Sequence, residues 1–208
     1  MSWDGPPPPY RIETERLVIR CYEPRDAQLL KDAVDTSLEH LLAWMPWADD
    51  EPQTLDEKVQ LIKLFRSDFD RNESFAYGIF SVDDAEQLGG TGLHPRIGPG
   101  GLEIGYFVRA SATRQGFATE SSAALTRIGF EVCGADRIEI RIDPRNQASF
   151  GVPRKLGFAE EATLRRRLPS AEGEPLRDVT IFTLFREDFD PSIAPGIRAF
   201  DASGDQIL

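Results

Sequence analysis

The stretch Gly105 to Glu120 (GYFVRASATRQGFATE) constrains the chain most, because it runs from a strand through a short loop directly into a helix. Such a junction leaves the first N–H groups of the helix without intrahelical partners, at the positive end of its dipole, and so forms a cradle for a phosphate or diphosphate. Gly116 lets the backbone come close to a ligand, Ala118 adds little bulk, and Arg114 places a cation at the rim. The loop matches neither the GxxxxGK[ST] nor the GxGxxG pattern, which argues against nucleoside triphosphate and dinucleotide sites. A turn that merely starts a helix would carry the same local pattern.

Around this unit, strands and helices alternate. Arg16–Arg20 is β-branched and reads as a strand, and Pro24-Arg-Asp opens an amphipathic helix through Leu29, Leu30, Ala33 and Val34. Leu38–Trp47 is dense in large apolar groups and is broken at Pro46. Thr54 and Glu57 form a capping box for a second helix, with Leu55, Val59, Ile62, Phe65 and Phe69 on one face. Phe75–Val82 follows as the second strand, DDAEQLGG reads as a turn into the third at Thr91–His94, and a hairpin at RIGPGG leads to the fourth, Leu102–Val108. After the helix from Phe117, Arg137–Ile142 is the fifth strand, residues 146–156 a short helix, and 161–168 with 179–185 a closing strand pair. This order predicts an α/β fold with a mixed, mostly antiparallel central sheet and one βαβ crossover. One domain is expected over residues 11–190, between a proline-rich arm (1–10) and a C-terminal tail (191–208) that is either disordered or folded back.

Composition narrows the function classes. The formal charge of −11 argues against non-specific nucleic-acid binding. No apolar run approaches bilayer length, so no membrane span is expected. The chain start has no secretory pattern, and Cys21 and Cys133 lie far apart without metal-ligand spacing, so a cytoplasmic location and no metal site are expected.

RQGFATE after EIGYFV resembles the acyl-CoA loop of the GNAT N-acetyltransferase superfamily, with Thr113 where Arg or Gln is usual and Ala118 in place of the second Gly. TERLVIR resembles the family's first strand. HLLAWMPW, IDPRNQAS and RKLGF resemble segments of its RimJ/RimL-like branch, and the likeness spans about residues 12 to 188. It implies a GNAT-like sheet in which the fourth and fifth strands splay apart, acetyl-CoA as cosubstrate, and possible homodimers. The diphosphate would sit on the amides of Arg114, Gln115, Gly116, Phe117, Ala118 and Thr119. The pantetheine would lie along Phe107 and Val108, with its amide held by Asn146.

Acetyl transfer to an amine needs a base, a polarised thioester carbonyl and a stabilised leaving thiolate. Glu103, on the strand that leads into the loop, is the best candidate base, as the family often carries a Glu there. His94 is its rival, since an unperturbed imidazole titrates nearer neutrality, and His40 is a weaker third. The family's frequent tyrosine acid corresponds to Pro153 here, and the branch's serine to Ser149, which is expected at the departing sulfur. Trp44 and Trp47, with His40, are the candidate acceptor wall, and a short acidic run (Asp49, Asp50, Glu51) follows them. The expected activity is direct transfer of an acyl group, foremost acetyl, to the amine of a peptide N-terminus or a small molecule. The alternative is a non-catalytic acyl-CoA binding or sensing module that makes no use of Glu103 and Ser149.

Overall fold

A computed structural model describes residues 2–170 and 175–208. The elements in chain order are β1 (Arg11–Glu13), β2 (Leu17–Cys21), α1 (Ala27–Asp35), α2 (Leu38–Leu42), α3 (Leu55–Asp70), β3 (Phe75–Ser81), β4 (Gln87–His94) and β5 (Gly101–Val108). There follow α4 (Phe117–Glu131), β6 (Arg137–Ile142), α5 (Gln147–Lys155), β7 (Ala159–Leu168), β8 (Arg177–Phe185) and β9 (Arg198–Phe200). They build one sheet in the order β7-β8-β6-β5-β4-β3-β2-β1-β9, antiparallel at every pairing except β5 with β6. The fourth and fifth strands of the sequence reading are therefore β5 and β6.

Three departures from the sequence expectation have physical reasons. β1 and β9 are three residues each, too short for a periodic signal, and they exist because each pairs with a neighbour. β4 begins at Gln87 rather than near Thr91, so Gly89 and Gly90 lie inside a strand and not in a turn. Their missing side chains make room for a neighbour: a Cβ at Gly89 would stand 2.2 Å from the Phe107 carbonyl, and one at Gly90 2.5 Å from its ring. The N-terminal arm, set apart from the domain in the sequence reading, packs on its body, and the tail takes the folded-back form that was one of its two alternatives. Trp3 is buried and the Tyr77 hydroxyl donates to the Pro9 carbonyl at 2.7 Å; Ala199 of β9 is buried beside β1.

Apolar alternation decides the two sheet faces. Leu102 and Ile104 of β5, Ile138 and Ile140 of β6 and Leu93 of β4 pack under Leu125 and Ile128 of α4. On the other face α1 and α3 cover β2–β4 through Val18, Tyr22, Phe80, Leu30 and Ile62. The capping box is present, with the Glu57 amide donating to Thr54 Oγ1 at 3.3 Å and the Thr54 amide to Glu57 Oε2 at 2.7 Å.

The segment from Met45 to Glu51 is fixed by a buried ion pair. Lys58 of α3 bonds Glu51 Oε1, both side chains are almost wholly enclosed, and Glu51 Oε2 accepts the Gln53 amide at 2.9 Å. Removing one partner strands a buried charge, which typically costs about 3–5 kcal/mol. Lys58→Ala should therefore lower unfolding free energy in urea by about that amount, whereas the double variant Lys58→Met with Glu51→Leu should recover most of it.

Candidate active site

β5 and β6 are joined by only three parallel pairs, Gly101–Arg137, Leu102–Ile138 and Glu103–Glu139. Beyond them the strands diverge. Arg109 donates its amide to the Leu88 carbonyl at 2.9 Å, so the antiparallel alternation aims the backbone groups of Phe107, Gly105 and Glu103 at β4. The C=O group of Ile104 and the N–H and C=O groups of Tyr106 and Val108 consequently face the gap, where no strand pairs with them, while the Ile104 N–H belongs to the last rung, Glu103–Glu139.

At the far end of β5 the loop supplies the cradle expected from the sequence. Arg114 (φ +62) and Gly116 (φ +87) are both left-handed, and Gly116 is the N-cap of α4. Among the described residues, none of the amides from Arg114 to Thr119 donates to a protein acceptor; the first bond is from Glu120 N to Gly116 O, at 2.9 Å. Three residues brace this loop that sequence reasoning assigned no role. Glu120 accepts Thr14 Oγ1 at 2.6 Å and Arg16 Nε at 2.7 Å, while Arg16 Nη1 donates to the Gln115 carbonyl at 3.0 Å. Thr14 and Arg16 belong to the TERLVIR segment, whose only visible signal was that of a strand.

Across the gap, Asn146 caps α5, its Oδ1 accepting the Ser149 amide at 3.2 Å. The Ser149 hydroxyl has no partner among the described residues, and the Ser149 carbonyl accepts the Tyr106 hydroxyl at 3.3 Å. Tyr106 thus spans from β5 to α5. Burial pushes its phenol far up, so it stays a proton donor at neutral pH.

On the face opposite α4, register aligns Ser74, His94, Glu103, Glu139 and Thr183 across neighbouring strands. Glu103 is 6% exposed and is held by Arg96, with Nε–Oε2 at 3.0 Å and Nη2–Oε1 at 2.6 Å; Arg141 lies 3.7 Å away. Glu139 is shared by Arg137 and Arg141, and the Thr183 hydroxyl donates to Glu161 Oε2 at 2.6 Å. His94 lies across the cross-strand pair Gly92–Gly105: a Cβ on Gly92 would meet its Nε2 at 2.7 Å, and one on Gly105 at 3.6 Å. Its Nδ1 is 2.8 Å from Ser74 Oγ. Burial, aided by Arg96 and opposed by Glu103, pushes this imidazole down to about 4, so it is neutral at physiological pH.

The structure does not gather all the expected residues. Trp47 packs edge-on against Phe107 of β5, ring centres 5.4 Å apart, whereas half-buried Trp44 makes no comparable ring contact among the described residues. His40 is exposed beside a groove of about 510 Å³ lined by Asp35 to His40 and Ala110, past the end of β5 and away from His94 and Glu103. Glu51 is buried on Lys58, whereas Asp49 and Asp50 are exposed. Arg177 closes the cleft rim, bonding the Ala43 carbonyl at 3.2 Å and Asp143 Oδ2 at 3.3 Å. Among the described residues no cluster of His, Cys, Asp and Glu forms a metal site, and no helix is long and apolar enough to cross a membrane.

Comparison with known families gives one match over most of the chain. The acetyltransferase (GNAT) domain matches residues 16–159. This chain belongs to the GNAT family. The uncharacterized N-acetyltransferase YoaA of Bacillus subtilis is 26% identical over 156 residues, spanning 74% of this chain and 86% of that protein. The ribosomal protein uS5-alanine N-acetyltransferase of Escherichia coli is 25% identical over 190 residues, spanning 88% and 95%. Among solved structures, Mycobacterium smegmatis RimJ in complex with a CoA disulfide superposes with a TM-score of 0.74 at 24% identity, covering 90% of this chain and 91% of that one. That likeness concerns the fold. The GNAT domain and these relatives make the chain an N-acetyltransferase, with ribosomal-protein acetyltransferases among its relatives.

The neutral state of His94 has a thermodynamic consequence. Its folded value lies below the unfolded value of about 6.5, so the unfolded chain binds this proton more readily. The site's contribution to stability is complete above about pH 6.5 and is lost as pH falls toward about 4, by up to about 3 kcal/mol. Urea unfolding of wild type and His94→Gln between pH 7 and 4 should show the variant losing less stability over that interval; parallel pH dependences would contradict the assignment.

Proposed function

We infer that this GNAT protein transfers an acetyl group from acetyl-CoA to the N-terminal amine of a peptide, with His94 receiving the amine's proton. The observation that carries this reading is the run of amides from Arg114 to Thr119 without a partner among the described residues, continuous with the unpaired edge of Tyr106 and Val108. A diphosphate fits the first and an amide-bearing pantetheine fits the second, adding to β5 as a further strand would. Asn146 would hold a pantetheine amide at the opposite wall.

The chemistry then follows from position. The amine nitrogen attacks the thioester carbon, the C–N bond forms and the C–S bond breaks. The Val108 N–H, which faces the gap, would polarise the carbonyl, and the Ser149 hydroxyl, without a partner among the described residues, would donate to the departing thiolate. After attack the nitrogen is far more acidic than the free ammonium, so a neutral imidazole of low basicity suffices to take its proton. What favours His94 over Glu103 is availability: both Glu103 oxygens are engaged by Arg96, whereas His94 Nε2 lies over Gly105 without a protein partner among the described residues.

A peptide terminus suits the cleft better than a polycation. The carboxylates of Glu103, Glu139 and Asp143 are each held by arginines, leaving none of the three for a second ammonium group. Trp47 and Phe107 offer an apolar wall for a small first side chain.

Two measurements test this. Gly116→Val forces a β-branched residue to φ +87 and should raise the Kd for acetyl-CoA at least tenfold in calorimetry, without unfolding the protein. With acetyl-CoA and a peptide beginning with alanine, His94→Gln should lower kcat about 100-fold or more while leaving the KM for acetyl-CoA nearly unchanged, and Glu103→Gln should cost less. Equal turnover by His94→Gln and wild type would remove His94 from the role. Faster acetylation of spermidine or an aminoglycoside than of the peptide would overturn the acceptor class.

A further inference from the structure

Ser74 ends the loop between α3 and β3 and stands next to His94 in the strand register, one step beyond the Phe75–Leu93 pair. Its hydroxyl is 2.8 Å from His94 Nδ1, and it has no other hydrogen-bond partner among the described residues. We propose that Ser74 is a positioning residue: its oxygen accepts the Nδ1 hydrogen of His94 and holds the imidazole in the Nδ1–H tautomer, with the Nε2 lone pair toward the cleft. The inference rests on His94 being the base of the reaction.

Three features of the surroundings support this direction of the bond. Ser74 is half-exposed, so its own hydroxyl hydrogen is free to bond solvent while its oxygen accepts from the ring. The glycine pair Gly92–Gly105 leaves a slot for the ring but no side chain to orient it, so the contact at Nδ1 is the polar contact that fixes its rotation. The charged groups facing the ring, Glu103 from β5 and Arg96 from the loop after β4, are engaged with each other and leave both ring nitrogens to other partners. The bond at one ring nitrogen decides which form the other takes. A histidine side chain free in water prefers the Nε2–H form, in which the cleft would receive a hydrogen and no lone pair. A hydroxyl that selects the opposite tautomer therefore contributes directly to proton acceptance.

The chain has only two histidines, which makes the test simple. Long-range proton–nitrogen NMR of the intact protein at pH 7.5 reads the tautomer of each, with exposed His40 as the internal comparison. Wild type should give Nδ1–H for His94. Ser74→Ala should shift His94 toward Nε2–H and lower kcat about tenfold with the alanine-initiated peptide, at unchanged KM for acetyl-CoA. Ser74→Thr, which keeps the hydroxyl, should restore both. An Nε2–H form in wild type, or no tautomer change in Ser74→Ala, overturns the proposal directly. A tautomer that switches while kcat holds overturns it through its premise, because Ser74 would then orient a histidine the reaction does not use.

Discussion

The parallel pairing of β5 with β6 stops after one rung that sets two carboxylates side by side. Glu103 and Glu139 are register partners on the same sheet face, an arrangement that repels unless cations intervene. Arg141 intervenes, 2.9 Å from Glu139 and 3.7 Å from Glu103, with Arg96 and Arg137 closing the outer sides. This charged rung holds the strands together up to the point where they part. Past it, Tyr106 and Val108 direct their backbone groups into open space, and the gap ends at the helix whose first amides are equally unpaired. The cleft and the cradle are one continuous edge of unsatisfied main chain, and a soluble protein retains such an edge only where solvent or a ligand satisfies it.

Much of this was legible beforehand, for identifiable reasons. The helix from Phe117, the strand Arg137–Ile142 and the capping box at Thr54 rest on local signals, and the structure reproduces them closely. The cradle was legible because a left-handed glycine before a helix leaves a local mark. Strand pairing between β1 and β9 was not, since it joins residues nearly two hundred positions apart and each strand is three residues long. The glycines of β4 misled for a related reason. Leu88-Gly-Gly looks like a turn until Phe107 is placed against it.

The candidate site was legible in its membership more than in its bonding. Glu103 and His94 were both visible as candidates, but their ranking depended on Arg96 and Ser74, which lie 7 and 20 positions away in the chain and have no motif. The bracing of the cradle by Thr14, Arg16 and Glu120 is similarly non-local, spanning more than a hundred residues. Sequence patterns report which face a side chain takes; they do not report which neighbour has already claimed it.

That distinction explains how one charged row can hold an uncharged imidazole. Arg96 lowers the basicity of His94 and Glu103 raises it, but the two ions are bonded to each other and their opposing influences largely offset. Enclosure is left as the governing influence. The imidazole sits on two glycines, against a strand whose far side faces the gap, and is neutral because solvation of its cation has been withdrawn. In the role proposed for it, an imidazole kept neutral by enclosure would be ready at every pH at which the acceptor amine is itself unprotonated. The ion pair beside it then serves a separate purpose: by holding Glu103 on Arg96 it prevents the carboxylate from drawing a proton onto the ring, and so keeps the lone pair of His94 available.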